Sequence, residues 1–409
     1  MKACILSVGT EILMGSILNT NTKYLSEKLN EYGVSVLYHT SVGDNPQRLK
    51  ETFEYYLNKV DIVITTGGLG PTQDDLTKEV IAKIMGCPLQ RDDTIYAKIE
   101  AYFDGANRVM TDNNAKQALV PIGGKALEND KGTAPGIYIG KNNKHVFLLP
   151  GPPREMQHLF ELHVGPMIEK EKNQVIDSKY IKIFGLGEST VEDKLLPLID
   201  GQVNPTIATY AKRGEIEIRV TASGQRQSET EELLTPVVTH IQELFGDSVY
   251  SIDGGTLAEL VGQRLIKEKL TVALAESCTG GLLAGALTDI PGISSVLQAG
   301  FVTYSNDAKV SLLGVSEKTL EAHGAVSSET ALEMIAGLNK KIGADISVSI
   351  TGIAGPGGAS DSKPVGLVYI GLSYFGQMEV HQFNFHGDRS RVRSYSVLSA
   401  LNLIRKKII

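Results

Sequence analysis

Apolar residues recur along this chain with two alternating rhythms. Short, nearly continuous runs at 4–8, 34–38, 61–66 and 145–150 read as buried strands. Between them, Leu25, Leu29 and Tyr32, and then Leu49, Phe53 and Leu57, repeat at the spacing of a helix face. Asn45-Pro46 supplies a cap and a first-turn proline for the second of these helices. Strand–helix alternation over about the first 165 residues predicts a parallel sheet covered on both faces. Binding loops then lie beyond the C-terminal ends of the strands.

From Glu169 to Ser251 the pattern changes. KYIKIFGLG reads as a strand, Ser189-x-x-Glu192 as a capping box opening a helix, and 215–222 alternates with period two. A Glu-rich helix then runs to Phe245, which completes a small α+β module without a recognisable catalytic cluster. A second capping box, Thr256-x-x-Glu259, opens a helix carrying Leu257, Val261 and Leu265. Strands at 270–275, 345–351, 366–372 and 380–385 follow, and a last helix carries Val397, Leu401, Ile404 and Ile408. The expected fold class is α/β. Two α/β sandwich domains with mainly parallel sheets, at 1–168 and 252–409, are joined by the small module at 169–251.

Composition adds limits. At 409 residues, 42% apolar and 21% charged, the chain is globular and long enough for two or three domains. No apolar stretch approaches the ~18 to 20 residues of a membrane span. Three cysteines, Cys4, Cys87 and Cys278, form no C-x-x-C pair, so a reducing cytoplasmic setting is expected. With 40 Lys and Arg against 47 Asp and Glu, the balance of −7 gives no electrostatic case for a nucleic-acid partner.

Much of the 42-residue glycine content gathers in loops that follow strands. In TTGGLGPTQDDLTKE (65–79), Gly67, Gly68 and Gly70 permit sharp turns and close approach to a phosphate. Asp74 and Asp75 offer hard oxygen donors to a phosphate-bound divalent cation. A plain strand–helix turn capped by Asp74 or Asp75 would also account for the local pattern. The spacing is neither a dinucleotide fingerprint nor a Walker A loop. The segment 7–21 adds Gly9, Thr10, Glu11, Asn19 and Asn21, and LLPGPPREM (148–156) adds a rigid third loop.

These three segments resemble the molybdenum-cofactor-biosynthesis-like domain of the CinA family. Gly67, Gly68, Gly70, Asp75, Thr77 and Glu79 fall on the GGTG…D-x-T-P-E pattern of related pterin-binding proteins, with Leu69 and Lys78 as departures that argue against molybdopterin. The resemblance implies ADP-ribose hydrolysis assisted by a divalent metal and potassium. Asp74, Asp75 and Glu11 would hold the metal. Binding of a nucleotide or pterin without hydrolysis is the alternative for this region.

The loop AESCTGG (275–281) joins a strand to a helix, where a nucleophile gains from nearby backbone donors. Ser277 and Cys278 are both available, and Ser295 is a third candidate. A serine needs a base, and GFVTYSNDAK (300–309) supplies Tyr304 and Lys309. His323, His381 and His386 have no comparable placement. SITGIAGPGGASDSKPVG (349–366) offers Thr351, Gly352, Gly355 and Lys363 as ligand holders. Arg389, opening the last helix, suits a phosphate or carboxylate, whereas Arg391 and Arg393 read equally well as surface residues.

AESCTGG, FVTYSNDAK, TGIAGPGG, KPVG and GDR, in this order, resemble the CinA C-terminal domain, a family of nicotinamide mononucleotide deamidases. The resemblance implies amide hydrolysis by Ser277, Tyr304 and Lys309, with no cofactor. Thr279, Gly280 and Gly281 would surround the substrate, the amides from Cys278 to Gly280 would hold the oxyanion, and Arg389 the phosphate. The implied small-molecule partners are nicotinamide mononucleotide and ADP-ribose, in a role in NAD recycling, with a homodimer as the expected assembly. A non-catalytic partner in competence or DNA recombination is the rival class, which the family's name suggests and the charge pattern does not support.

Overall fold

The computed structural model describes residues 1–105, 107–171, 175–212 and 214–409. By internal contacts the chain forms two compact units. One comprises Met1–Asp177 with Ser223–Thr230, the other Ser178–Ala222 with Glu231–Ile409. The three-part division expected from the sequence is finer than this one: most of the middle module groups with the C-terminal region.

In the first unit, six strands lie in the spatial order Ser35–Val42, Lys2–Val8, Ile62–Thr66, Lys144–Leu149, Gly136–Lys141 and Lys125–Leu127. The first four are parallel and the last two add an antiparallel edge. The continuous apolar runs are explained by burial on both faces. Ala3, Ile5, Ile62, Ile64, Phe147 and Leu149 pack on Leu25, Leu29 and Phe160. The alternate residues Cys4, Leu6, Val63, Val146 and Leu148 pack on Phe53, Ile81 and Met85. Asn45 caps Pro46–Leu57 by accepting from the Arg48 amide, as its position before a first-turn proline predicts.

The second unit contains two sheets. Strands Thr206–Ala211, Glu215–Gly224, Val175–Phe184 and Val249–Ser251 form the smaller one, flanked by helices Glu188–Ile199 and Gln227–Phe245. Here the Ser189 capping box does not form. The helix begins at Glu188 after an extended Gly187, so Ser189 already lies within the first turn and no side chain caps it. The larger sheet runs Leu297–Val302, Val272–Glu276, Ile346–Gly352, Leu367–Tyr374 and Gln377–Asn384. Its first three strands are parallel and the remaining pairings antiparallel. Val272, Leu274, Ile346, Val348 and Ile350 bury against Leu257, Val261, Leu265 and Leu401, while Ala273 and Ala275 face Met334 and Leu338. The Thr256–Glu259 capping box is formed in full. No helix among the described residues is long and apolar enough to cross a membrane.

Candidate functional sites

The strand Val272–Glu276 ends in a turn that places Ser277 and Lys309 together. Gly280 and Gly281 take φ values of +60° and +91°, a conformation side chains resist, so the chain reverses sharply after Thr279. The Lys309 ammonium nitrogen lies 3.1 Å from Ser277 Oγ and donates to the Thr303 carbonyl at 2.8 Å. Lys309 is 1% exposed and Ser277 8%. Burial holds the Lys309 amine below its ordinary basicity, opposed only by the nearby Cys278 thiol. The result is a hydroxyl beside an amine that burial shifts toward its neutral form.

Cys278, the adjacent candidate, is buried and its thiol is pushed up to about 11, chiefly by desolvation. A thiolate activated by the following helix is therefore not what this turn builds. Burial is the main cause, and the helix end itself is taken up by Glu276, which the sequence does not single out. Its buried carboxylate accepts from the amides of Gly281 and Leu283 through Oε2 and of Ala284 through Oε1. The helix N-terminus expected to serve the nucleophile is thus already occupied by a side chain. Gly280 N donates to the Ser277 carbonyl, which removes it from the proposed oxyanion donors and leaves the amides of Cys278 and Thr279. Glu276 was unreadable because a Glu at a strand end gives no signal of its own. Only the folded turn shows which amides it meets.

Tyr304 is 59% exposed. Its hydroxyl accepts from Arg389 at 2.9 Å, and Arg389 also donates to the Gly355 carbonyl at 2.8 Å. Among the described hydrogen bonds, Tyr304 touches Lys309 only through its backbone carbonyl, at 3.5 Å. Tyr304, Arg389 and Gly355 therefore form one hydrogen-bonded cluster, and buried Ser277 and Lys309 a second. Arg393, read as a surface residue, is half-buried and donates to the Thr279 carbonyl at 2.7 Å. Thr351 and Lys363 have structural duties instead: Thr351 Oγ1 donates to the Ala325 carbonyl at 2.6 Å and Lys363 to Val326 at 2.7 Å. Both pin the segment 323–326, and the Thr351 hydroxyl proton is committed there. Gly352 remains in the strand ladder opposite Val368. Ser295 sits in a separate turn, donating to the Gly292 carbonyl.

In the first unit the three sequence-predicted loops meet around a cleft of roughly 580 Å³. Its lining includes Glu11, Gly67, Gly68, Gly70, Asp74 and Asp75. Gly67 has φ +104°, and a Cβ there would overlap the Val8 carbonyl oxygen, so only glycine lets these loops close on one another. Buried Asn21 ties the loops by donating to Thr66 Oγ1 at 2.8 Å and the Gly151 carbonyl at 2.7 Å. Its Oδ1 is buried with no hydrogen-bond partner.

The capping alternative for Asp74 and Asp75 fails. The helix Thr77–Ile84 starts after Leu76 with no side-chain cap, and both carboxylates instead accept from the Thr72 hydroxyl. That bond and the backbone hold the Asp74 carboxyl below the usual carboxylate range. Lys116 braces the turn through the Thr72 carbonyl at 3.0 Å and the Asp75 carbonyl. Lys78 is buried, donates to the Lys116 carbonyl at 2.7 Å and is brought down to about 8 by desolvation. As for a cation, the oxygen donors suit a hard ion, yet among the described residues no three His, Cys, Asp or Glu side chains converge to hold one. Asp74, Asp75 and Glu11 therefore do not form a metal site by themselves, and a divalent ion in this cleft would draw most of its oxygens from a bound phosphate.

Three family models match in sequence: the "Probable molybdopterin binding domain" over residues 4–170, the "Damage-inducible protein CinA KH domain" over 178–251, and the "CinA C-terminal domain" over 255–408. A relative from Alkaliphilus metalliredigens, named a competence-damage inducible protein, is 48% identical over 409 residues and covers both chains fully. Another of the same name from Caldicellulosiruptor bescii is 47% identical with the same coverage. The crystal structure of a competence/damage inducible protein from Agrobacterium tumefaciens is 44% identical, covering 36% of this chain and 94% of that one, with a TM-score of 0.35. The middle segment was not read from sequence as a KH module, and it contains no G-x-x-G, the signal by which such a module clamps a nucleic-acid backbone.

Proposed function

The chain belongs to the CinA family, and from that premise we propose that its C-terminal region is an amidohydrolase acting on nicotinamide mononucleotide. The observation that carries this reading is the buried Ser277–Lys309 contact at 3.1 Å, with the lysine held toward its neutral form. A serine hydroxyl is a poor nucleophile unless a base takes its proton, and a desolvated lysine is such a base. Ser277 Oγ adds to the carboxamide carbon as its proton passes to Lys309. The negative oxygen formed there is met by the Cys278 and Thr279 amides. Lys309 returns the proton to the departing nitrogen, ammonia leaves, and an ester joins Ser277 to the nicotinoyl carbon. Water gives a proton to the same amine and adds to the ester carbon, and that proton passes to the Ser277 oxygen as nicotinate mononucleotide is released. Arg389, steadied by Tyr304 and Gly355, would meet the phosphate. Tyr304 then acts on Arg389 and the ligand rather than as a direct proton relay.

The test is ammonia release from nicotinamide mononucleotide by the intact chain, Ser277→Ala and Cys278→Ala. The reading expects loss in the serine variant and retention in the cysteine variant. A folded, intact chain that releases no ammonia would return the competence-partner reading to first place.

For the first unit, the cleft lined by glycine-loop backbone and carboxylates supports a second reading, a metal-dependent ADP-ribose pyrophosphatase. A divalent cation bound by Asp74, Asp75 and Glu11 together with the ligand would offset charge on the pyrophosphate oxygens. The chain's own part is to present the loop amides and to hold the acidic turn rigid through Thr72 and Lys116. Product analysis with and without added divalent metal distinguishes hydrolysis from binding alone. A homodimer in the cytoplasm, serving NAD recycling, is the setting we propose for both reactions.

A further inference from the structure

The turn 277–281 is held from three sides, and two of the holds come from the strands and helix beside it. At its start, Ser277 N donates to the Ile350 carbonyl at 2.9 Å. At its end, the buried Glu276 carboxylate grips the amides of Gly281, Leu283 and Ala284. The third hold arrives from far along the chain. Arg393 donates through Nη2 to the Thr279 carbonyl at 2.7 Å, across 114 positions of sequence.

That contact acts on the Thr279–Gly280 peptide. The N–H of this peptide donates to the Ser277 carbonyl at 3.0 Å and closes a turn with Cys278 and Thr279 at its centre. Its C=O is the group that Arg393 holds. Gly280, at φ +60°, is a joint about which the peptide could swing, since no side chain restrains it. A hydrogen bond at each end of the peptide removes that freedom. The two amides proposed to meet the oxyanion belong to the residues inside this turn, so their aim depends on its staying closed.

The setting of Arg393 differs from that of a solvated surface arginine. Its Nε is buried without a hydrogen-bond partner, and Nη2 lies 3.5 Å from the point where a Gly280 Cβ would stand. It sits on helix Arg389–Ile408 beside fully buried Val392, one turn beyond Arg389. Like charges four residues apart on a helix oppose each other, and here each has its own anchorage: Arg389 at Tyr304 and Gly355, Arg393 at Thr279. The positive charge of Arg393 is felt inside the turn, where it pulls the Cys278 thiol down against the larger effect of burial. Negative charge on an oxygen held at the neighbouring amides would gain from it in the same way.

We propose that Arg393 is a positioning residue of the deamidation, fixing the Thr279–Gly280 peptide so that the Cys278 and Thr279 amides stay aimed at the oxygen of the tetrahedral intermediate. The inference rests on the amidohydrolase reading and deepens it. Among the described hydrogen bonds Arg393 reaches neither Ser277 nor Lys309, so it acts through the backbone of the turn. Such a residue adds little to the binding of a planar substrate or product and much to that of a tetrahedral species.

The test compares the full-length chain with Arg393→Met and Arg393→Lys, each checked for folding by thermal melting. Nicotinamide mononucleotide is the substrate and nicotinate mononucleotide the planar probe. The tetrahedral probe is the mononucleotide of pyridine-3-carboxaldehyde. Its carbonyl carbon bonds to Ser277 Oγ, the carbonyl oxygen takes the displaced electron pair, and the serine proton passes to Lys309. Arg393→Met is expected to lower kcat by roughly ten- to a hundredfold and to weaken the aldehyde by a similar factor, with KM and product affinity within about twofold. Arg393→Lys, which restores one donor, should recover part of both losses, and the same comparison on this variant decides the matter if Arg393→Met does not fold. Equal losses for product and aldehyde would make Arg393 a substrate contact, and an unchanged kcat would make it a surface residue. Either result overturns the positioning role and leaves the amidohydrolase reading standing. An intact chain that releases no ammonia overturns both.

Discussion

The two proposed sites would meet the same demand, oxygen chemistry on a nucleotide, in opposite environments. In the C-terminal region the proposed reacting groups are side chains buried inside the fold, Ser277 against Lys309. In the N-terminal region the acidic groups stand at an open cleft, and Asp74 is solvent-exposed. Burial makes the first site complete by itself, because desolvation changes the lysine without any added partner. Exposure leaves the second dependent on what the ligand brings, since hydrated carboxylates gain little until a cation and phosphate arrive together.

The sharpest way to break this contrast is to remove the buried base. Lys309→Met should lower ammonia release by on the order of a thousandfold or more. Lys309→Arg should rescue little, because a guanidinium does not give up its proton. Wild-type activity should rise with pH through a midpoint below that of a free lysine, in keeping with the direction of its shift. A profile set by an ordinary lysine would mean that burial is not what tunes the site.

A smaller effect tests whether the C-terminal turn is rigid by design. Glu276→Gln puts an amide NH2 against backbone donors that now share two carboxylate oxygens. About 1–3 kcal/mol of stability should be lost for each donor left unpaired. Ammonia release should fall by roughly ten- to a hundredfold with little change in KM, read by thermal melting beside steady-state kinetics. Asp75→Asn carries the comparison to the other unit. It should reduce metal-dependent ADP-ribose hydrolysis by roughly tenfold or more and leave ammonia release untouched. Loss of both activities together would show that the two regions are not independent.

A different effect lies in the pH dependence of stability. Lys78 sits at about 8 in the folded chain against 10.5 for the free side chain. Between those values the unfolded chain binds a proton that the folded one does not, so stability should climb as pH rises across that window. Below it, the buried charge costs on the order of 3 kcal/mol. Lys78→Met should flatten this dependence in melts recorded from pH 7 to 10.5. A slope that survives the substitution would assign it to another group.

Much of this was legible in the sequence, and for a physical reason. Periodicity and turn chemistry act locally, so the apolar runs at 4–8 and 61–66, the Asn45-Pro46 start and the Thr256–Glu259 box are all found where the pattern puts them. The Ser189 box failed because a capping motif specifies a helix start only when the chain enters at that residue, and Gly187 allowed entry two residues earlier. Glycine clusters after strands marked both sites, since only a backbone that must turn or be approached closely concentrates glycine there.

What the sequence determined by itself is therefore the menu: strands, helices, loops and the residues able to do chemistry at their ends. Which of those residues meet was decided by tertiary structure. Ser277 and Lys309 are 32 positions apart and touch. Tyr304, close to Lys309 in sequence, turns its hydroxyl to Arg389, 85 positions away. Asp74 and Asp75 face Thr72 instead of the helix they precede. Side-chain direction and burial depend on every element packed around a residue, and the electrostatics that shift Lys309 toward its neutral form and keep Cys278 a thiol exist only once that packing has excluded water.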